Sequence, residues 1–385
     1  MSNLRGRILI PVVLLACLSI ILNVALSMYA LGLFNFKSRL SREEFLHWKR
    51  CRRHPYIERS LRPYRAHACR GRVTRSAIRR SVREDKDYIG VSIKDNHVTY
   101  YGTEGTPWEN DVRTEEGLIQ DIGMLAKEVD LPDMEFICWF NDGFDGLSLP
   151  NARNECLPVF VQEKPRSSNG ILATPRSVQG FSDYILKTAS QDNSIPLERK
   201  ISKAFFRGTT TGGIYTEDNW RNFARTKIVK ASLDHPDLID ARFTRVMQTE
   251  SKQLPKIMKR EGYVVKKRVA HSEQWKFKLV IVPDGNSVPD RLLDFLASNV
   301  VVLKQESGNE EFWYQDLKPY EHYIPFKRDV SDLVDVVKRS LSNETLLKHV
   351  SDASTHFVLE NLNSDIIKCY LVHLLYDYAQ VYDDD

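Results

Sequence analysis

No HExxH, CxxC, GxSxG or Walker-type lysine loop occurs in the 385 residues, and the ten histidines are scattered without metal-ligand spacing. Those absences argue against a zincin-type hydrolase, a thioredoxin-like redox centre, a nucleophile-elbow hydrolase and a P-loop nucleotidase. No sequence repeat, low-complexity tract or long Gly/Ser linker separates one half of the chain from the other. Cysteine is sparse, at six residues. Cys51/Cys69 and Cys138/Cys156 are two pairs at identical separation, as a disulfide framework in an oxidising compartment can show. Buried free thiols are the alternative, and Cys17 and Cys369 are left over.

Charge is missing altogether between Ile8 and Phe36, a run long enough to cross a bilayer as a helix despite Pro11 near its start. Ala25-Leu26-Ser27 resembles a cleavage site, but the apolar part exceeds the roughly 7–15 residues of a signal-peptide core, which favours an uncleaved anchor. Arg5 and Arg7 precede the run and Lys37, Arg39 and Arg42 follow it, so a positive-inside count holds the C-terminal side in the cytosol, whereas the cysteine pairs argue for a lumenal one. The net charge of +4 is uneven: residues 37–83 hold sixteen Lys/Arg against three Glu. Beside a membrane anchor such a segment reads as a stalk or a lipid contact. Trp48, Tyr56 and Tyr64 are too sparse for a base-stacking platform, and no nucleic-acid partner is expected.

Beyond the basic segment, YIGVSIKDNHVTYYG (88–102) alternates about Asp95-Asn96 and predicts a hairpin. EEGLIQDIGMLAKEV (115–129) has helical spacing and runs into LPDMEFICWFNDG, a buried strand that ends in a loop carrying Asp142. The same order of strand, loop and helix recurs through KAFFRG, WRNFARTKIVKASLDHP, WKFKLVIVPDG, DRLLDFLASN and VVVLKQES. Repeated strand–loop–helix units predict α/β sheets with ligands at the C-terminal ends of the strands. Two amphipathic helices follow between about 331 and 381.

In KAFFRGTTTGG, Arg207 stands at the mouth of a strand, followed by a Gly/Thr loop whose backbone N–H groups can approach a phosphate closely; an ordinary polar turn is the competing reading. Three stretches together, FFRGTTTGG, PDGNSVPDR and VVLKQESGNEEFWYQDLKPYEHYIPF, resemble glycosyltransferase family 90, which includes the Rumi-like protein O-glucosyltransferases and the fungal capsule-associated xylosyltransferase. HPDLIDARFT (235–244) and LPDMEF (131–136) match the same family's connecting segments. The resemblance runs from about Tyr88 to the last helix. It implies a GT-B-like α/β fold, two Rossmann-like domains facing a cleft and here preceded by the transmembrane helix. It also implies metal-independent, inverting transfer from a UDP-sugar, with no cofactor.

The domain reading is a cytosolic tail at 1–7, a signal anchor at 8–34, a basic stalk at 35–87, an acceptor-side domain at 88–200, a donor domain at 201–350, and C-terminal helices with an acidic tail at 351–385. By the resemblance, Asp142 is the base that takes the acceptor's proton; Asn141 precedes it where some relatives carry Arg, and Asp145 stands close by. The diphosphate falls to Arg207, Gly208 and Thr209 of the Gly/Thr loop, to Arg225 rather than Arg221, and to Arg291 at the start of a helix whose N-terminus faces the same anion. Asp284, Gly285 and Ser287 shape the loop beneath the donor, with Asn286 able to bond it. Glu306 and Glu311 are candidates for the ribose, and Lys164 and Ser168 for a donor-facing loop of the first domain. The expected protein is a single-pass type II enzyme of the endoplasmic reticulum or Golgi. Its expected partners are UDP-glucose or UDP-xylose, an acceptor protein or glycan, and the membrane through residues 8–34. The rival is a non-catalytic sugar- or UDP-binding module of the same fold.

Overall fold

The computed structural model describes residues 39–66, 69, 71, 73–102, 117–139, 156–174, 178, 195–265, 269 and 271–385. The expected anchor at 8–34 and Asp142 lie outside the described residues. Among the described residues no helix is long and apolar enough to cross a membrane.

The segment read as a stalk is part of the folded body. Its composition is basic, but its few apolar residues fall at helical spacing. α1 (Arg42–Trp48) starts in a capping box between Ser41 and Glu44 and buries Phe45. α2 (Pro55–Arg65) begins with Pro at its first position and buries Tyr56, Ile57, Leu61 and Tyr64. α3 (Arg75–Glu84) is capped by Thr74 and buries Ile78 and Val82. The arginines on the polar faces meet carboxylates from far along the chain. Arg53 binds Asp377 at 2.8 Å, with Arg42 and Arg65 within 4.0 Å of the same carboxylate; Lys49 pairs with Asp365, and Arg79 with Glu135. Some of the positive charge of the N-terminal part is therefore answered within the molecule, and with the buried apolar faces of its helices this is the physical reason the stalk reading fails.

The first sheet has the order β2-β1-β3-β4-β6. β1 (Ile89–Lys94) and β2 (His97–Tyr101) form the expected hairpin, turning through Asp95 and Asn96, which both hold positive φ. α4 (Gly117–Glu128) leads to β3 (Met134–Trp139), buried along its whole length, then to β4 (Val159–Val161), the short β5 (Lys164–Pro165) and β6 (Ile171–Leu172). β3, β4 and β6 are parallel, but β1 runs antiparallel to β3. This sheet is mixed, a departure from the Rossmann-like expectation that comes from the hairpin occupying its edge.

The second sheet, β12-β10-β9-β7-β8, is parallel throughout. β7 (Ile201–Thr209) is followed by α5 (Ala224–Asp234) and β8 (Ile239–Arg245); α6 (Leu254–Arg260) and α7 (His271–Gln274) precede β9 (Phe277–Val282). Then come α8 (Leu292–Leu296), β10 (Val301–Gln305), β11 (Asn309–Glu310) and β12 (Ile324–Phe326). β11 pairs antiparallel with β5, with Glu310 opposite Lys164, and this two-stranded ribbon joins the two halves of the chain.

α9 (Leu333–Leu341) and α10 (Glu344–Asn361) pack beside the second sheet, whereas α11 (Ser364–Ala379) returns to the first. The Tyr378 ring meets Phe136 and Phe160 edge-on, and the Tyr370 hydroxyl donates to Leu172 O. The last helix thus belongs to the first sheet's layer, not to a separate C-terminal unit. The cysteines pair differently from the equal-spacing expectation: Cys51 joins Cys369, and Cys69 joins Cys156. Cys138 is a buried thiol in β3, raised by desolvation and inert. Equal spacing misled because strand β3 points Cys138 into the core. Converting Cys51 and Cys369 to Ser is expected to lower stability by about 2–5 kcal/mol, since the bridge closes most of the chain into one loop; the unfolding midpoint in urea checks it.

Candidate functional site

In the second sheet β7 connects outward to β8 on one side, while β9 leads away to β10 on the other. Between β7 and β9 the strand order reverses, and in open α/β sheets the crevice beyond the strand ends at such a reversal receives ligands. A cleft of about 630 Å³ opens there, lined by Thr209 at the end of β7 and Thr211 after it, Arg225 on α5, Gly285 to Arg291 after β9, and Glu163 from the first half of the chain.

Arg225 sits in the first turn of α5 and is buried. It donates from Nε to Asp284 O at 2.8 Å and from Nη1 to Thr209 O at 3.1 Å, so one guanidinium ties the ends of β7 and β9 together. Arg291 donates to Arg207 O at 2.6 Å. Among the described residues neither arginine forms an ion pair. Burial, then the neighbouring Arg291, pulls Arg225 down to about 10; burial also lowers Arg291. Arg291 thus disfavours the charge on Arg225, while Asp290 and Asp294 partly offset the burial of Arg291; two buried guanidiniums lining one cleft suit an anion. Asp294, pushed up to about 6 by burial, and Asp290 line the rim.

The loops are spliced by polar contacts. Asn286 Oδ1 accepts from Gly212 N and from Gln248 Nε2, both at 2.9 Å, and Gly285 N donates to Ser287 O. Gly285 has a steric reason: a Cβ there would stand 2.8 Å from Arg225 Nη2 and 2.9 Å from Thr211 Oγ1. Gly285→Ala is expected to displace the Arg225 side chain and weaken anion binding in the cleft by about tenfold while the protein still folds. Calorimetric titration with pyrophosphate, alongside an unchanged circular dichroism spectrum, is the check.

Arg225, Arg291, Thr209, Gly208, Gly285 and Ser287 all line this cleft, as does Arg207. Arg207, however, spends its side chain on Asp240, at 2.7 Å to Oδ1, and lies over the Phe205 ring. Its guanidinium is held by the neighbouring strand, so its backbone carbonyl rather than its charge serves the site. Asp284 contributes its carbonyl to Arg225, while its carboxyl, raised by burial, interacts with Ser307 and Lys304 and does not line the cleft. α8 is only five residues long, too short to present the anion-binding N-terminus expected beside Arg291.

Four expected residues are placed elsewhere. Glu306 is exposed past the end of β10, away from the cleft lining. Glu311 is buried, accepts from Trp313 Nε1, and is held well above the usual carboxylate range by desolvation and by Glu163. Lys164 and Ser168 line a second, smaller pocket, because Lys164 on β5 faces away from the side Glu163 lines. Glu163, Thr211, Thr244, Asp290 and Asp294 were not singled out by the sequence; period-two alternation along QEKP was the available signal for Glu163. Among the described residues no group of three or more His, Cys, Asp or Glu is placed to hold a metal ion.

Comparison with known proteins gives these features a family. The model of glycosyl transferase family 90 matches residues 47–383, and the chain belongs to that family. The match begins within the basic segment, in accord with its packing. Similar proteins include protein O-glucosyltransferase 3 of Rattus norvegicus, 27% identical over 66% of this chain and 48% of that protein. Protein O-glucosyltransferase 2 of Danio rerio is 27% identical over 67% and 49%, and protein O-glucosyltransferase 3 of Homo sapiens is 28% identical over 76% and 55%. The chain spans about half the length of the curated relatives it matches.

Proposed function

We propose that the chain is an inverting glycosyltransferase that moves glucose or xylose from a UDP-sugar to a hydroxyl of a protein or glycan, without a metal ion. The observation that carries this reading is the convergence of Arg225 and Arg291, from separate elements and without ion-pair partners among the described residues, at the strand reversal of a parallel sheet. A departing nucleoside diphosphate gathers negative charge as the glycosidic bond breaks, and fixed guanidiniums in a poorly solvated cleft stabilise that charge without reorganising. Thr209 and Thr211, with the backbone of the Gly/Thr loop, supply hydrogen bonds to the same phosphates. Asp142 takes the acceptor's proton. In the sequence it lies shortly after Trp139, the last residue of β3.

Names of the relatives favour a glucosyl donor, and the family membership supports transfer as the reaction class. Two disulfides suit an oxidising, secretory compartment, and the uncharged run at 8–34 is proposed as the anchor that retains the chain there. A screen of UDP-glucose, UDP-xylose and other UDP-sugars against the purified protein, with mass spectrometry of the product, tests the reading. Turnover of one donor supports it; tight UDP binding with no hydrolysis or transfer from any donor would leave only a binding module.

A further inference from the structure

On the far side of the β5–β11 ribbon lies the second pocket, of about 280 Å³, independent of the donor reading. Its floor is the buried ring of Tyr56, which carries Arg59 at 5.0 Å and Lys164 at 5.7 Å from its centroid. Lys164 is buried and donates to Ser168 O at 2.7 Å; Arg166 stands at the rim. Among the described residues three cations face this space with a single carboxylate, Glu310, which lies 3.7 Å from Arg166. Burial, aggravated by Arg59, pulls Lys164 down to about 8 despite the nearby Glu310.

A lysine buried against an arginine, over a π face and short of negative charge, is an arrangement that an incoming oxyanion completes. The pocket lies just below the roughly 300–1,000 Å³ of small-molecule sites, more room than a bare ion fills. We propose that this pocket binds an oxyanion, free or carried on a sugar, through Lys164, Arg59 and Arg166. Lys164 stands opposite Glu310 in the ribbon's register, and the neighbouring Glu163 lines the cleft of the second sheet, so the ribbon borders both pockets.

The test is calorimetric titration of the full chain with inorganic phosphate and, separately, with glucose 6-phosphate. The wild type, Arg59→Gln, Lys164→Gln and Arg291→Ala are compared. Binding weakened about tenfold in Arg59→Gln and Lys164→Gln but unchanged in Arg291→Ala is the expected result. Arg59 is exposed on α2, so its replacement keeps the fold even if Lys164→Gln does not. Equal affinity for the two probes identifies a free oxyanion; tighter binding of glucose 6-phosphate identifies one borne on a sugar. No binding of either probe at millimolar concentration, or binding lost only in Arg291→Ala, overturns the proposal. The second of those outcomes places the phosphate in the donor cleft and leaves the reading of that cleft intact.

Discussion

Asp142→Asn is expected to slow sugar transfer by about 10²–10⁴-fold, the usual worth of a positioned general base, with UDP affinity nearly unchanged. The asparagine keeps the size and polarity of the side chain but cannot accept the acceptor's proton, and the proposed diphosphate contacts are assigned to other residues. The loss therefore falls on kcat with the correct acceptor. A variant that turned over at the wild-type rate would move the base to another carboxylate, of which Asp145 and Glu163 are the nearest alternatives by position in the chain and in the cleft. Slow residual hydrolysis of the UDP-sugar is expected to persist, since leaving-group stabilisation remains in place.

Arg291→Ala is expected to act on the other half of the reaction, weakening UDP binding by roughly 10–100-fold through loss of charge-assisted hydrogen bonds to the phosphates. Transfer falls further than affinity does, because the diphosphate's charge grows as the bond breaks. Arg291→Lys recovers part of the loss, as a point charge replaces the planar fork but cannot bond two phosphate oxygens in the same geometry. Calorimetry with UDP and steady-state kinetics with the active donor separate the two effects. Unchanged UDP affinity in the alanine variant would remove Arg291 from the site. The wider fold is not at stake, because among the described residues the Arg291 side chain bonds only a backbone carbonyl, that of Arg207.

Strands β7, β9 and β10 of the second sheet were readable because each is a short apolar run, with helices at 3.6 periodicity between them, whereas β8 and β12 were not read as strands from the sequence. Arg225 and Arg291 were readable through the motifs that resemble the family, and the structure brings both to one cleft. What composition concealed were features that depend on distant partners. The Arg-rich residues 37–83 look like a stalk until Asp365, Asp377 and Glu135 are seen opposite them; apolar residues such as Ile57 and Leu61 already carried the helical signal. Disulfide partners separated by 318 residues leave no local spacing to read. Lys164 and Glu163 differ by one position, and a strand sends adjacent side chains to opposite faces, so Glu163 lines the larger cleft and Lys164 the smaller pocket. Glu306 and Glu311 failed for opposite reasons: one remains in solvent and the other is sealed beneath Trp313.

Because α11 roofs a sheet whose strand β3 lies more than two hundred positions earlier, that sheet cannot close until α11 has been synthesised. At roughly 5–20 residues per second, the interval between emergence of β3 and of α11 is on the order of 10–50 s. Throughout it, Phe136 and Phe160 lack the tyrosine that later covers them, and Cys51 has no native thiol to meet. Removal of α11 would leave Phe136 and Phe160 uncovered and Cys51 without its disulfide partner, even with the cleft of the second sheet intact.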